Sequence, residues 1–338
     1  MGGLMKIRSL VFALACTLLA QPLAHADVRI KLGTLAPRGS TWETLLKEMG
    51  QKWSEASGGK VKLVIYAGGV AGNEGDMVKK MRIGQLQAVA LTTIGLHDIT
   101  PEPQALDVPM MIDSFDTLDY VMKRIEPQLE SLLEQKGYVA IGWSEVGFVR
   151  FFSTEPLRSM ADFSKRGKVF AWEGDPASVE AWRAGGFSPV VMSSTDIVPS
   201  LQTGLINTVA LAPLYAFTSR IFERAKYMLD VKWGVLSGAT VVRKDVWERV
   251  PADLRPKLIE IAHDYSGKIA SEVRRMDADA LTQMKAQGLQ IVEPTDPPAF
   301  ARAAQATYRI IRGKVVPAAI FDQVKQLVAE AHAASAHR

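Results

Sequence analysis

The side chains best able to grip a small molecule are concentrated between residues 147 and 215. This stretch begins Gly147-Phe148-Val149-Arg150, passes through Lys168-Val169-Phe170-Ala171-Trp172-Glu173-Gly174-Asp175-Pro176 and ends near Ala212-Pro213. Phe148, Phe151, Phe152, Phe170, Trp172 and Trp182 all fall within it. Aromatic rings carry large apolar area, and core packing is the expected role of at least half of them. Trp172 stands apart because it precedes the Glu173-Gly174-Asp175-Pro176 turn at a strand end, where a side chain can reach a cleft.

Catalysis would need a nucleophile with a base, a metal site or a cofactor cradle. Of the five histidines, His25 lies near the N-terminus and two fall in the last seven residues, leaving His97 and His263 as candidate bases. Both read as surface or capping residues. No HExxH, GxSxG, Walker or GxGxxG pattern occurs. Gly68-Gly69 and Gly72 read as a tight strand-to-helix turn rather than a phosphate loop. Asp107, Asp113, Asp116 and Asp119 lack the glycine and terminal glutamate of a calcium loop, so helix capping by Asp116 and solvated faces explain them. No metal and no cofactor are expected, and binding remains.

The elements that must position this stretch follow from periodicity. Val28–Gly33 alternates as a strand, Ser40/Thr41 open a helix with Leu45, Leu46, Met49 and Trp53 at helical spacing, and Val61–Tyr66 is a second strand. The Gly72-Asn73-Glu74-Gly75 turn leads into a helix marked by Met77, Met81 and Ile83, and Leu86–Leu91 is a third strand. Further expected elements are a helix over Tyr120–Leu133, strands over Tyr138–Trp143 and Gly238–Arg243, a long helix from about Pro251 to Gln287 and a helical tail from Pro298 to His332. Repeated strand-helix-strand units build open, mostly parallel sheets whose ligands bind at the strand ends. The length suits two α/β lobes. The chain is expected to cross between them near Val146 and Val235, with the long helix spanning both. Lobe I is then 27–146 plus about 236–275, and lobe II is 147–235 plus about 276–330; such crossing makes a hinge.

Residues 1–26 read as an export leader: Lys6 and Arg8, the apolar run Leu10–Ala20, and Ala24-His25-Ala26 as a cleavage site, so that cleavage is expected near Ala26. The single cysteine, Cys16, would leave with it, and with it any disulfide or thiolate chemistry. The formal charge falls from +4 to +2 once Lys6 and Arg8 are removed. With no basic stripe interleaved with aromatics, no nucleic acid partner is expected.

Several ordered segments resemble the DctP-type solute-binding proteins of TRAP transporters. They are Ile30-Lys31-Leu32-Gly33-Thr34, Gly68-Gly69-Val70-Ala71-Gly72-Asn73-Glu74 with Met81-Arg82-Ile83-Gly84, Val108-Pro109, Gly147-Phe148-Val149-Arg150, Ser159-Met160-Ala161-Asp162-Phe163 and Leu201-Gln202-Thr203-Gly204-Leu205-Ile206-Asn207. The resemblance covers nearly the whole chain after the leader. It implies an α/β, two-lobe, type II-like periplasmic-binding-protein fold that closes by hinge bending on a small organic ligand in the periplasm. The ligand would pass to small and large TRAP membrane subunits, and no enzymatic activity is implied.

The family pattern also implies a ligand-clamping arginine at the position of Phe170 and an asparagine at that of Ala212, and this sequence departs at both. A phenyl ring cannot replace the charge-assisted fork of an arginine, so a buried carboxylate would keep its desolvation cost without its partner. The expected ligand is therefore less acidic and more apolar than the family norm. Phe170, Trp172 and Trp42 would form apolar walls, Arg150 and Glu74 polar anchors, and Leu35, Ala212 and Tyr215 the remainder by family position. Other readings stay open: an ordinary organic-acid receptor with Arg150 as sole clamp, Arg150 as an inter-strand salt bridge, an adaptor docking a tetratricopeptide-repeat protein, or a periplasmic enzyme using His97 or His263.

Overall fold

Residues 27–336 are described by a computed structural model, and the leader read over residues 1–26 lies outside them. Strand β1 (Val28–Thr34) alternates as its sequence predicts, and it lies parallel to β2 (Val61–Tyr66) on one side and β3 (Ala88–Thr92) on the other. At the far edge β5 (Val169–Trp172) runs parallel to both β6 (Pro189–Met192) and β7 (Thr208–Leu211). Between these groups stand the two longest strands, β4 (Tyr138–Ser153) and β8 (Tyr227–Arg243), antiparallel to each other. The order is β2-β1-β3-β8-β4-β7-β5-β6, with β9 (Gln290–Val292) joining β8.

The two mostly parallel halves are thus joined into one hydrogen-bonded sheet, because both crossing segments stay extended throughout. Sequence pattern had ended the first strand at Trp143 and begun the second at Gly238; the intervening residues remain on the ladder. Its register shifts between Ala140 and Gly142, Glu145 and Gly147, and Val149 and Phe151. Bulges of this kind bend a strand and increase its twist. Gly147 has φ +124°, and a Cβ there would sit 3.2 Å from that of Ala212, so glycine answers both the backbone and the close approach of the next loop.

Helices cover both faces. Helix Thr41–Ala56 starts at Ser40, whose hydroxyl accepts the Glu43 N–H. Its buried Trp53 donates from Nε1 to the Leu258 carbonyl at 2.9 Å and packs on Trp247. The long helix is Arg255–Ala286, and it packs against β4, against Thr41–Ala56 and against the short helix Pro213–Thr218. It therefore touches elements on both sides of the bulged region. The helix expected over Tyr120–Leu133 spans Phe115–Gln135 and is capped by Ser114; Asp116 lies in its first turn instead, where its charge suits the helix dipole. The tail forms helices Pro297–Ile310 and Ala318–Ala336.

Phe151 is fully buried in a cluster with Phe163, Trp182, Phe187 and Trp233. Phe148, Phe152 and Phe170 are buried too, so packing claims most of the aromatic stretch, while Trp172 and Trp182 keep partial exposure.

Gly238 lies where β8 crosses β3, and a Cβ there would collide with the Leu91 carbonyl oxygen. Backbone cannot yield as a side chain can. Gly238→Ala is expected to lower stability by about 1–3 kcal/mol, read as a lower denaturant midpoint with unchanged slope; an unchanged midpoint would mean that the two strands can part at this point.

Candidate functional site

The strand ends and bulges enclose two adjoining recesses. One, with about 900 Å³ of empty space including its mouth, is bounded by Leu35, Trp42, Glu74, Trp172, Ala212 and Tyr215 among others. The other, with about 1100 Å³, is bounded by Phe170, Trp172, Trp182, Trp233, Gln104 and Asp107 among others. Both recesses share Trp172, Leu211 and Leu236. Six of the eight residues singled out in the sequence thus meet in the first recess, and Phe170 lies in the second.

Arg150 lines neither recess. It forms an inter-strand pair with Asp230, Nε to Oδ1 at 3.3 Å, and its side chain is only 12% exposed. Its neighbour Val149 faces the second recess in its place. Period-two alternation then points Arg150 the other way, toward Asp277, whose carboxyl burial pushes up and the Arg150 charge pulls back. One guanidinium nitrogen, Nη1, is buried and finds no hydrogen-bond partner among the described residues.

The Gly-rich turn positions Glu74. Asn73 caps helix Glu74–Arg82 in a reciprocal capping box with Asp76, leaving Glu74 as the first helical residue, almost fully buried. Its carboxylate accepts the Thr92 N–H and the Thr92 hydroxyl, each at 2.7 Å. Gly95 must stay bare beneath it, because a Cβ there would press on Oε2. Burial outweighs these hydrogen bonds and raises the Glu74 pKa to about 7. Burial together with the charge of Glu74 pushes Tyr215 up to about 12.

Asp107 closes the short 3-10 turn Glu102–Asp107. It accepts from the Thr93 hydroxyl and the Ser237 N–H, and burial, reinforced by Glu74, holds its carboxyl well above the ordinary range. The loop beyond it is tied down by Tyr308, whose hydroxyl donates to the Pro109 carbonyl at 2.9 Å, and by the Met110 N–H, which donates to the Trp233 carbonyl. Glu145 is buried beside the first recess and is neutralised by Arg274, which also forks onto Asp119 at 2.6 and 2.8 Å. Asp175 caps the helix Pro176–Ala184. Among the described residues, four carboxylates therefore border the two recesses, and no lysine, arginine or histidine does.

Asn73 reaches across to the opposite edge, its side-chain amide donating to Glu173 and, at 3.3 Å, to the Ser193 hydroxyl. Among the described residues, two buried polar atoms at the recesses find no hydrogen-bond partner: Ser194 Oγ beside the first and Gln104 Oε1 beside the second. Sequence reasoning passed over Gln104, Ser194, Leu211 and Leu236 and dismissed Asp107 as part of an acidic run. Asp113 pairs with His332, and Asp119 with Arg274. His97 terminates the turn Thr93–Leu96 and His263 is exposed on the long helix, so neither borders a recess.

Residues 32–313 match the profile of the DctP family, described as bacterial extracellular solute-binding protein, family 7. The chain is 24% identical over 297 residues to the C4-dicarboxylate-binding periplasmic protein DctP of Rhodobacter capsulatus, covering 85% of each chain. It is 22% identical over 297 residues to the sialic acid-binding periplasmic protein SiaP of Vibrio cholerae, covering 87% of this chain and 91% of that one. Its fold is similar to that of a TRAP periplasmic solute binding protein from Ralstonia eutropha H16 with bound (S)-2-acetolactate. There the TM-score is 0.82 at 19% identity, covering 90% of this chain and 99% of the other.

The raised pKa of Glu74 has a definite sign. Between its ordinary value of 4.5 and about 7, the folded state holds a proton that the unfolded chain has released, so stability falls as pH rises through this window. Glu74→Gln keeps an acceptor for the Thr92 N–H and removes the titration. Its stability relative to the unmodified protein is expected to rise by up to about 3 kcal/mol across that window, measured by denaturant unfolding at each pH. Parallel curves would mean that the carboxylate is solvated.

Proposed function

The chain belongs to the DctP family of bacterial extracellular solute-binding proteins, and from that premise we propose that it captures an uncharged, largely apolar solute between two lobes and delivers it to TRAP membrane subunits. Lobe I would be 27–146 with about 236–275, and lobe II 147–235 with about 276–330. The hinge would lie at the bulged crossing of β4 and β8. The contact from Asn73 to Glu173 and Ser193 supports reading this as the closed arrangement. Exported by the leader over residues 1–26, the receptor would work in the periplasm.

The observation that carries the solute class is the lining, which among the described residues has four carboxylates, no cationic side chain, and aromatic or aliphatic walls. Glu74 and Asp107 hold their protons tightly and Glu145 is paired with Arg274, so the lining gives a buried anion no compensating positive charge. Phe170, where the family pattern has an arginine, is 3% exposed and packs edge-on against Trp172. Nothing there repays the desolvation of a carboxylate.

A second reading rests on Arg150. Its unpartnered Nη1 is a donor in reserve, and the relatives include a C4-dicarboxylate-binding protein. If the bulge near Gly147 shifted on binding, the guanidinium could turn toward an organic acid as its sole clamp.

Calorimetric titration with succinate and with its neutral analogue succinamide separates the two. Succinamide is expected to bind at least tenfold more tightly to the unmodified protein, and Phe170→Arg to reverse the preference. Tight succinate binding that Arg150→Met abolishes, with the melting profile of the free protein unchanged, would establish the second reading in place of the first.

A further inference from the structure

The strand order puts β2 at one end of the sheet and β6 at the other, yet the turns that follow these two strands touch. Asn73, beyond β2, donates from its side-chain amide to the Glu173 carboxylate just past β5 and, at 3.3 Å, to the Ser193 hydroxyl just past β6. Ser193 Oγ lies 2.9 Å from Thr195 Oγ1, and a Cβ on Gly69 would come within 3.5 Å of the Thr195 methyl, so the glycine turn itself lies against this loop. The Glu173 N–H donates to the Met192 carbonyl at 3.2 Å, which ties the two far turns to each other.

The orientation of the Asn73 amide is fixed by its chemistry. Its carbonyl oxygen accepts the Asp76 N–H at 2.8 Å as the cap of helix Glu74–Arg82, a bond that the amide nitrogen cannot make. The nitrogen must then point away from the helix, and its two hydrogens match the two acceptors across the mouth. Among the residues that cap helices well, aspartate lacks a donor and serine and threonine are shorter. Each contact residue is also the chain neighbour of a residue bordering the first recess: Asn73 of Glu74, Glu173 of Trp172 and Ser193 of Ser194.

We propose that Asn73 is a latch: its amide joins the turns at the two ends of the sheet across the first recess and sets how long a solute stays. This rests on the reading of the chain as a two-lobe receptor and adds what holds the lobes shut. A solute that meets Glu74, Trp172 and Ser194 draws their three neighbours together, and the bonds so formed must break before it leaves. Glu173 is exposed, so water competes for its carboxylate and the latch can reopen.

The single cysteine, Cys16, lies in the leader, so nitroxide labels can be attached specifically at Ile83→Cys and Leu205→Cys, both exposed and one in each lobe. Electron-spin distance measurement on the otherwise unmodified protein is expected to give one predominant separation. Asn73→Asp keeps a capping oxygen and sets a second carboxylate against Glu173, so a different separation should become predominant. Adding Glu173→Gln supplies the donor from the opposite side and should restore the first, which no folding defect would allow. Asn73→Ser, which caps but falls short, should release succinamide about fivefold faster in stopped flow.

An unchanged separation in Asn73→Asp, or a change that Glu173→Gln does not reverse, overturns the latch. Succinamide bound more tightly than succinate, with one separation in every variant, would leave the uncharged-solute reading standing while this inference fails. The expected change and reversal, with succinate bound more tightly than succinamide, would uphold the latch and remove that reading.

Discussion

The antiparallel pairing of β4 with β8 is the constraint from which the rest follows. These strands run side by side from Tyr138 opposite Arg243 to Ser153 opposite Tyr227, and every other strand is attached to one flank of the pair or the other. A ladder this long is stiff along its length except where its register shifts. Two of its three shifts fall around Glu145–Gly147 and Val149–Phe151, where the strand groups diverge and the recesses open. Bulges there bend and twist the pair while its hydrogen bonds continue on either side. The long helix then spans the bend, and Arg274 on it ties Glu145 of the bulged strand to Asp119 of a surface helix.

The electrostatics of the recesses follow from what this arrangement buries. Glu74 and Asp107 sit on the same side of the sheet, each stabilised by neutral donors, and neither is given a cation. Their carboxyls respond by holding protons more tightly. Glu145 is handled differently, by an ion pair with Arg274 that leaves it charged but compensated. Such a surround offers a buried anion no cationic partner among the described residues and leaves its desolvation uncompensated. It is the opposite of what an arginine at the position of Phe170 would create.

Much of the fold was legible in the sequence because local signals agree with tertiary ones. The alternation in β1, the Ser40 cap, the Gly72-Asn73 turn and the long helix are stated by residue type and spacing, and each appears within a few residues of expectation. Trp172, expected at a cleft from its place before a turn, borders both recesses. Arg150 lines neither, because which face it takes depends on strand parity, and the bulge between Glu145 and Gly147 shifts that parity with Gly147 as its one mark in the sequence. Gln104 and Asp107 stand in a short 3-10 turn that has no periodicity of its own. Asp107 is held by Thr93 and by Ser237, and the loop beyond it by Tyr308 about 200 residues away in sequence, a distance no window of local pattern spans. The capping of helix Phe115–Gln135 by Ser114 rather than Asp116 is a smaller case of the same kind: both residue types cap, and only geometry chooses.

Family resemblance supplied the architecture, and the side chains at the recesses supply the departure from it. Native mass spectrometry of the protein purified from its own periplasm, followed by accurate-mass identification of whatever small molecule accompanies it, tests that departure most directly. The account predicts an uncharged solute carrying neither carboxylate nor phosphate. A small carboxylate would contradict it and would return Arg150 to the role of clamp.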